Sequence, residues 1–173
     1  VDEIIVVDTG STDSTKEISK KYGAELYDFP WINDFSAARN FAFSKGTENY
    51  ILWLDADDVL LETDREKFRM LKNNLDPSID SVTMHYHLAA DEKGNITSSL
   101  RRNRLVKRAN HFKWIGAVHE YLQVGGCILN SDIVITHCAT RHDSDRNLSI
   151  YTERITKGEE FSPRDLYYYA NEL

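Results

Sequence analysis

The sequence predicts an α/β protein: a mostly parallel sheet with helices on both faces, followed by a smaller antiparallel region. Three observations lead there. Short apolar runs rich in branched residues, at residues 3–7, 24–29 and 50–54, alternate with stretches of helical periodicity. Those helical stretches carry start and stop signals at their ends. From residue 81 onward the pattern changes to a hairpin in which polar and apolar positions alternate.

Taken in order, residues 3–7 are a continuous apolar run, the mark of a strand buried on both faces. It runs out in Asp8-Thr9-Gly10-Ser11-Thr12-Asp13. Ser14 and Glu17 form a capping box for a helix to about Tyr22, which Gly23 stops. A second strand over 24–29 is closed by Pro30. Asn33 or Asp34 caps a helix through Lys45, with Phe35, Ala38 and Ala42 three and four apart, and Gly46 ends it.

The third apolar run, 50–54, terminates in Asp55-Ala56-Asp57-Asp58, and Thr63 with Glu66 caps a further helix to about Leu75. Strands over 81–90 and 96–107 flank the turn Asp91-Glu92-Lys93-Gly94-Asn95; two more are expected over 121–124 and 133–136. A polar stretch from Thr140 to Arg146 leads into a helix. Ser162-Pro163-Arg164-Asp165 opens the last one, with proline at the first helical position. The expected division is one domain over residues 1–150 and a helical segment over 151–173.

Composition narrows the function. A chain of 173 residues buries a real core. Its net charge of -7 argues against a general nucleic-acid binder, which shows a basic surplus. The apolar runs are too short for transmembrane segments. The expected location is the cytoplasm, with the inner face of the membrane as an alternative. Val1 already opens in a strand, so a preceding segment is expected. Cys127 and Cys138 have neither metal-type spacing nor a disulfide framework, and read as buried reduced thiols.

In an open parallel sheet, ligands bind beyond the carboxyl ends of the strands. Asp8 and Asp55 each follow an apolar strand, and if those strands neighbour one another both carboxylates face one crevice. Asp55 and Asp57 offer hard oxygen ligands to Mg²⁺ or Mn²⁺, which binds one or two carboxylates and completes its shell with water and ligand phosphates. Such an ion neutralises a diphosphate leaving group as its bond breaks. Asp8 and Asp13, with Thr9 and Ser11, suit hydrogen bonding to a base and ribose. Gly10 lets the backbone approach a ligand closely.

These segments resemble family 2 glycosyltransferases: Val6-Val7-Asp8-Thr9-Gly10-Ser11-Thr12-Asp13, then Phe35-Ser36-Ala37-Ala38-Arg39-Asn40, then Leu54-Asp55-Ala56-Asp57-Asp58. Gly116-Ala117-Val118-His119-Glu120 is similar to a bacterial subgroup with tetratricopeptide-type helices downstream, and residues 162–173 look like the entry to such a repeat. The resemblance implies a GT-A fold, a nucleotide-sugar donor (a UDP-sugar first), a divalent metal and inversion at the anomeric carbon. By position it implies Asp8 at the base, Asp55 at the ribose or metal, and Asp57 as metal ligand. Asp13 and Arg39 would lie near the nucleotide. Family members carry a further strand and helix before the segment that opens this chain.

An inverting transfer needs a general base for the acceptor hydroxyl. Glu120 is the candidate, with His119 orienting it or contacting donor phosphate, and Asp58 as fallback. His137, after the strand at 133–136, is a candidate third metal ligand. His85 and His87 read as surface residues; His142 sits in a polar loop without a role. Arg101, Arg102, Arg104, Lys107 and Arg108 read as a solvated basic face, and among Trp31, Trp53 and Trp114 a sugar-stacking platform is open. The acceptor is a glycan, a lipid or a peptide. Two other readings stay open: a haloacid-dehalogenase-type phosphatase using Asp55 as nucleophile and Asp57 as acid/base, and a non-catalytic transferase-like module that binds a partner.

Overall fold

The computed structural model describes residues 1–138 and 144–173. Its elements run β1 (Ile5–Asp8), α1 (Thr15–Lys21), β2 (Glu25–Asp28), α2 (Phe35–Lys45), β3 (Tyr50–Leu52), β4 (Asp58–Val59), α3 (Glu62–Asn74), β5 (Ser81–Ala90) and β6 (Ile96–Lys107). There follow β7 (Lys113–Ile115), β8 (Tyr121–Gln123), β9 (Ile128–His137), α4 (Ser144–Thr156) and α5 (Pro163–Glu172). The α/β class stands, and the β5–β6 hairpin has the bounds read from the sequence. Thr140 and His142 lie outside the described residues.

Local signals explain most of these elements. Asp34 caps α2 by accepting the backbone N–H of Ala37 at 2.9 Å. The α5 start is a full capping box: the Ser162 hydroxyl accepts from the Asp165 backbone, and the Asp165 carboxylate accepts from that of Ser162. Asp91 holds the hairpin turn, accepting backbone N–H groups from Lys93 and Asn95.

The two other capping boxes do not form. At α1 the Ser14 side chain makes no cap bond, and Asp13 accepts both the backbone N–H and the hydroxyl of Thr15 instead. At α3 the cap position is Leu61, two residues before Thr63. Asp64, buried in the first turn of that helix, accepts the backbone N–H of Val134 and ties α3 to β9.

Two compact units divide the chain. The first contains Val1–Glu48, Lys113–Gln123 and the C-terminal helices. Here β1 pairs in parallel with β2, and β7 pairs antiparallel with β8. The β1 strand is not buried on both faces as expected: Ile4 is exposed and residues 5–7 are half-buried. Its core gathers Val118, Ile150 and Tyr151, with Trp31, Phe35, Phe161, Tyr168 and Tyr169 against them. Position 150 therefore falls inside α4, in this unit's core.

The second unit holds Asn49–Phe112 and β9. Its sheet has the order β3-β6-β5-β9-β4, with β5–β9 parallel and the other three pairings antiparallel. Val82, Met84, Tyr86, Leu105, Ile133 and Ile135 form its core, covered by Phe68 and Leu71 of α3. Alternation along β5 follows from the two-residue period of a strand: Met84 and Tyr86 are buried while His85 and His87 are not. Both cysteines are exposed, against expectation; Cys127 precedes the first residue of β9 and Cys138 follows its last.

Candidate active site

In the second unit, β3 ends at Leu52 and the chain turns tightly before returning as the two-residue strand β4. The Asp58 backbone donates to the Asp55 carbonyl at 3.0 Å, and the Asp55 backbone donates to Asp58 Oδ2, also at 3.0 Å. That turn delivers β4 antiparallel to the end of β9, with Asp58 opposite His137. Cys138 extends the ladder by donating to the Asp57 carbonyl at 2.8 Å. One pair of backbone strands thus brings Asp57, Asp58 and His137 together, with potential ligand atoms all within 4.8 Å of one another.

Geometry within the group is directional. His137 Nδ1 lies 3.5 Å from Asp57 Oδ1 and 3.5 Å from Asp58 Oδ1. The Asp57 side chain is 44% exposed and that of Asp58 is 0% exposed, so one carboxylate faces solvent and the other is sealed. Asp58 Oδ1 is buried, with His137 Nδ1 3.5 Å away. A sealed carboxylate needs donors or cations around it. Two carboxylates and an imidazole nitrogen fit a divalent ion, the carboxylates suiting Mg²⁺ or Mn²⁺ and the imidazole favouring a transition metal.

Beneath this group lies a buried cation that the sequence reading assigned to solvent. Arg104 is wholly buried; its Nη1 donates to Asp58 Oδ2 at 2.8 Å. The guanidinium lies between two rings, 3.9 Å from the Trp53 centroid and 4.3 Å from that of Tyr86. On β6, Arg104 points inward while Arg101 is exposed and reaches His85, so alternation splits the basic cluster between faces. The Tyr86 hydroxyl is hydrogen-bonded to His137 Nδ1 at 2.9 Å. Burial, and then the Asp58 carboxylate, push the Tyr86 phenol well above its ordinary value, so it stays neutral.

In the first unit, Asp8 closes β1 and is buried, and its carboxylate accepts the backbone N–H groups of Gly10 at 3.0 Å and Ser11 at 3.1 Å. Lys16 lies 3.4 Å away and also binds Asp28. Hydrogen bonding from the Ser11 side chain, with the two backbone donors and Lys16, holds the Asp8 carboxyl below its ordinary value against the opposing effect of burial. Gly10 has φ 119°, a conformation suited to glycine, which turns the chain back over the carboxylate. Thr9, Gly10 and Ser11 are exposed.

Also in the first unit, Arg39 of α2 donates from Nε to Glu120 Oε1 at 2.5 Å, and its guanidinium lies over the buried Trp114 ring at 4.6 Å. The side-chain amide of Asn40, the next residue of α2, anchors Trp114 by donating to its carbonyl and accepting from its backbone N–H, both at 2.9 Å. Trp114 is thereby core, and it offers no stacking platform. His119 Nε2 meets Glu172 Oε1 of α5 at 2.6 Å.

Several expected residues therefore meet and others do not. Asp57 and His137 lie together, His137 Nδ1 being 3.5 Å from Asp57 Oδ1. Asp58 joins them on the floor of the group, and sealed against Arg104 it is badly placed to receive an acceptor proton. Asp55 is outside that group of ligand atoms. Arg104 and Tyr86 were missed as partners. Arg104 reads as a surface position until strand pairing is known, and Tyr86 reads as one of the apolar residues alternating with His85 and His87.

Comparison with known proteins defines first the fold. A mannosyltransferase from Pyrobaculum calidifontis, PcManGT, described in complex with GDP-Man and Mn²⁺, superposes with a TM-score of 0.51 at 13% identity, covering 98% of this chain and 59% of that one. TarS of S. aureus superposes at 0.50 and 14% identity, covering 98% and 37%. Both share the GT-A fold. Residues 1–117 match the sequence model of Glycosyl transferase family 2, and the chain belongs to that family.

Among curated relatives, the glycosyltransferase SunS of a Bacillus subtilis prophage is 28% identical over 99% of this chain and 43% of its own length. A TPR repeat-containing protein of Synechococcus elongatus is 47% identical over 44% of this chain and 18% of its own. The chain thus spans less than half the length of these relatives. Family membership displaces the phosphatase reading. Among the described residues, no helix is long and apolar enough to cross a membrane.

Proposed function

We propose that the chain carries the nucleotide-sugar-binding part of an inverting, divalent-metal-dependent glycosyltransferase acting on a glycan, lipid or peptide acceptor. The observation that carries this is the convergence of Asp57, Asp58 and His137, whose potential ligand atoms all lie within 4.8 Å of one another. These three side chains would hold Mn²⁺ or Mg²⁺, which neutralises charge on the diphosphate leaving group when bound. Asp55 stands beside the turn as a donor contact. Asp8, with the Thr9–Ser11 backbone, would receive the base and ribose, and Asp13 would border that loop. A UDP-sugar is the first expectation, and the PcManGT complex makes a GDP-sugar the next.

Glu120 serves as general base, and Arg39 holds its carboxylate in one orientation. In the transfer, the acceptor oxygen forms a bond to the anomeric carbon as the carbon–phosphate oxygen bond breaks. The proton passes to Glu120 and the nucleoside diphosphate leaves with the electron pair. The transfer domain runs on through α4, within which position 150 lies, and the segment from α5 onward begins a tetratricopeptide-like region. The cytoplasm is the expected location.

A thermal-shift panel of UDP-, GDP-, dTDP- and CMP-sugars, with and without Mn²⁺, tests the reading. Ligand at roughly 100 times its Kd stabilises the native state by about 2.7 kcal/mol. One nucleotide should raise Tm with Mn²⁺ present, and Asp57→Ala should remove that rise. If no nucleotide gives a metal-dependent shift, the reading is wrong.

A further inference from the structure

Three consecutive residues around Glu120 are anchored to three different partners. Val118 is buried against Ile150 and Tyr151. Glu120 takes the Arg39 guanidinium. Between them, His119 has φ 50°, the left-handed region that a non-glycine residue adopts when its surroundings hold it there.

What holds His119 is a single stripe of α5. Glu172 Oε1 accepts from His119 Nε2 at 2.6 Å. The Tyr168 ring stacks on the imidazole, 4.2 Å between centroids and 15° between planes. The Arg164 Nη2 donates to the His119 carbonyl at 3.0 Å. Residues 164, 168 and 172 are four apart in succession, so they lie along one face of the helix. Arg164 also covers Tyr168 at 4.7 Å and Tyr121 at 4.9 Å, and so grips the chain on the far side of Glu120 as well.

This stripe is itself braced. Asn147 of α4 donates to the same Glu172 oxygen at 3.1 Å. Arg154 of α4 donates to Asp165 at 3.0 Å, and Asp165 closes the capping box that starts α5. The His119 ring face and Nε2 are therefore committed to the helix.

We propose that α5 is a positioning element for the general base, latched through His119 by Arg164, Tyr168 and Glu172. It follows that His119 sets the backbone that aims Glu120 and does not contact donor phosphate. It follows also that α5 is required for turnover, although it follows the segment that matches the family. This inference rests on Glu120 being the base. Its physical basis is that a proton acceptor displaced by about 1 Å loses on the order of a hundredfold in rate while the binding of a distant group is unaffected.

The test uses the whole chain and follows Mn²⁺-dependent release of nucleoside diphosphate, with water as acceptor. UDP-glucose, UDP-N-acetylglucosamine and GDP-mannose are compared, and the donor hydrolysed fastest is kept. Glu172→Ala and Tyr168→Leu are expected to lower kcat about ten- to a hundredfold. Donor KM should stay within about twofold in both variants, at temperatures well below each variant's Tm.

Glu172→Gln, which still accepts from His119 Nε2, should recover most of the rate. Should Glu172→Ala fold poorly, Arg164→Met and Tyr168→Leu report on the same stripe from its other turns. The latch is overturned if kcat stays at the wild-type value in these variants, or if kcat falls only where donor KM rises in step. A Glu120→Gln control separates the two claims. If it retains turnover, the base assignment fails and the latch with it. A dead Glu120→Gln beside fully active α5 variants overturns the latch alone.

Discussion

Replacing Arg104 by methionine removes the guanidinium that donates to Asp58 while keeping a side chain of similar length between the Trp53 and Tyr86 rings. Both partners are fully buried and 2.8 Å apart, so the substitution leaves a carboxylate sealed from water without its cation. Breaking a buried pair on one side costs about 3–5 kcal/mol. The two cation–π contacts, at 3.9 and 4.3 Å, are also lost. Thioether contact with the same rings offsets part of that loss, on the order of 1 kcal/mol.

For a chain of this size each kcal/mol lowers Tm by about 2–4 °C, so the expected fall is on the order of 10 °C. Urea unfolding followed by tryptophan fluorescence, together with a thermal scan, measures it. Two further arms follow from the same charge count. The double variant Asp58→Asn/Arg104→Met should be more stable than Arg104→Met alone, because no carboxylate is then left unpaired. Mn²⁺ should raise Tm more in Arg104→Met than in wild type, because it would supply the missing positive charge. A cost below about 1 kcal/mol for Arg104→Met would refute the argument, since that is the range of a solvated pair.

Other expectations follow from single contacts. Gly126 has φ 83°, and a Cβ built there would sit 2.1 Å from Asp80 Oδ2, the oxygen that accepts the Cys127 backbone N–H. Gly126→Ala should therefore destabilise the second unit by about 1–3 kcal/mol, seen as a lower urea midpoint. Asp8 is ionised more readily folded than unfolded, so its contribution to stability is complete above its ordinary value of 3.8 and is lost as pH falls through the lower folded value. The stability gap between wild type and Asp8→Asn, measured by urea unfolding between about pH 3 and pH 7, should be widest at the upper end and narrow on acidification. A gap that widens toward acid pH would contradict the contacts assigned to Asp8.

Much of this protein was legible because the signals were local. Helix starts at Asp34 and Ser162, the turn at Asp91 and the alternation along β5 depend on residues within a few positions of one another, and backbone sterics and hydrogen bonding act at that range. The acidic ends of the first and third apolar runs were legible for the same reason, and they carry the family likeness. The failures at Ser14 and Thr63 are instructive: Ser14 holds the cap position while the neighbouring Asp13 makes the side-chain bond, and α3 starts from Leu61, two residues before Thr63.

What tertiary structure alone decided is which side chains meet. His137 joins Asp57 and Asp58 because β4 pairs with β9 in a register that sets Asp58 opposite residue 137. Arg104 is buried because β6 lies between β3 and β5 in the sheet, with Trp53 and Tyr86 supplying rings from the strand edges on either side. Glu120 finds Arg39 across 81 positions, and His119 finds Glu172 across 53. Charge and hydrophobicity along a strand give which residues alternate, but a one-residue change of register would turn each of them to the opposite face. The chemistry of the acids was written locally; their partners were chosen by strand pairing and helix docking, where contact free energy outweighs the entropy of closing long loops.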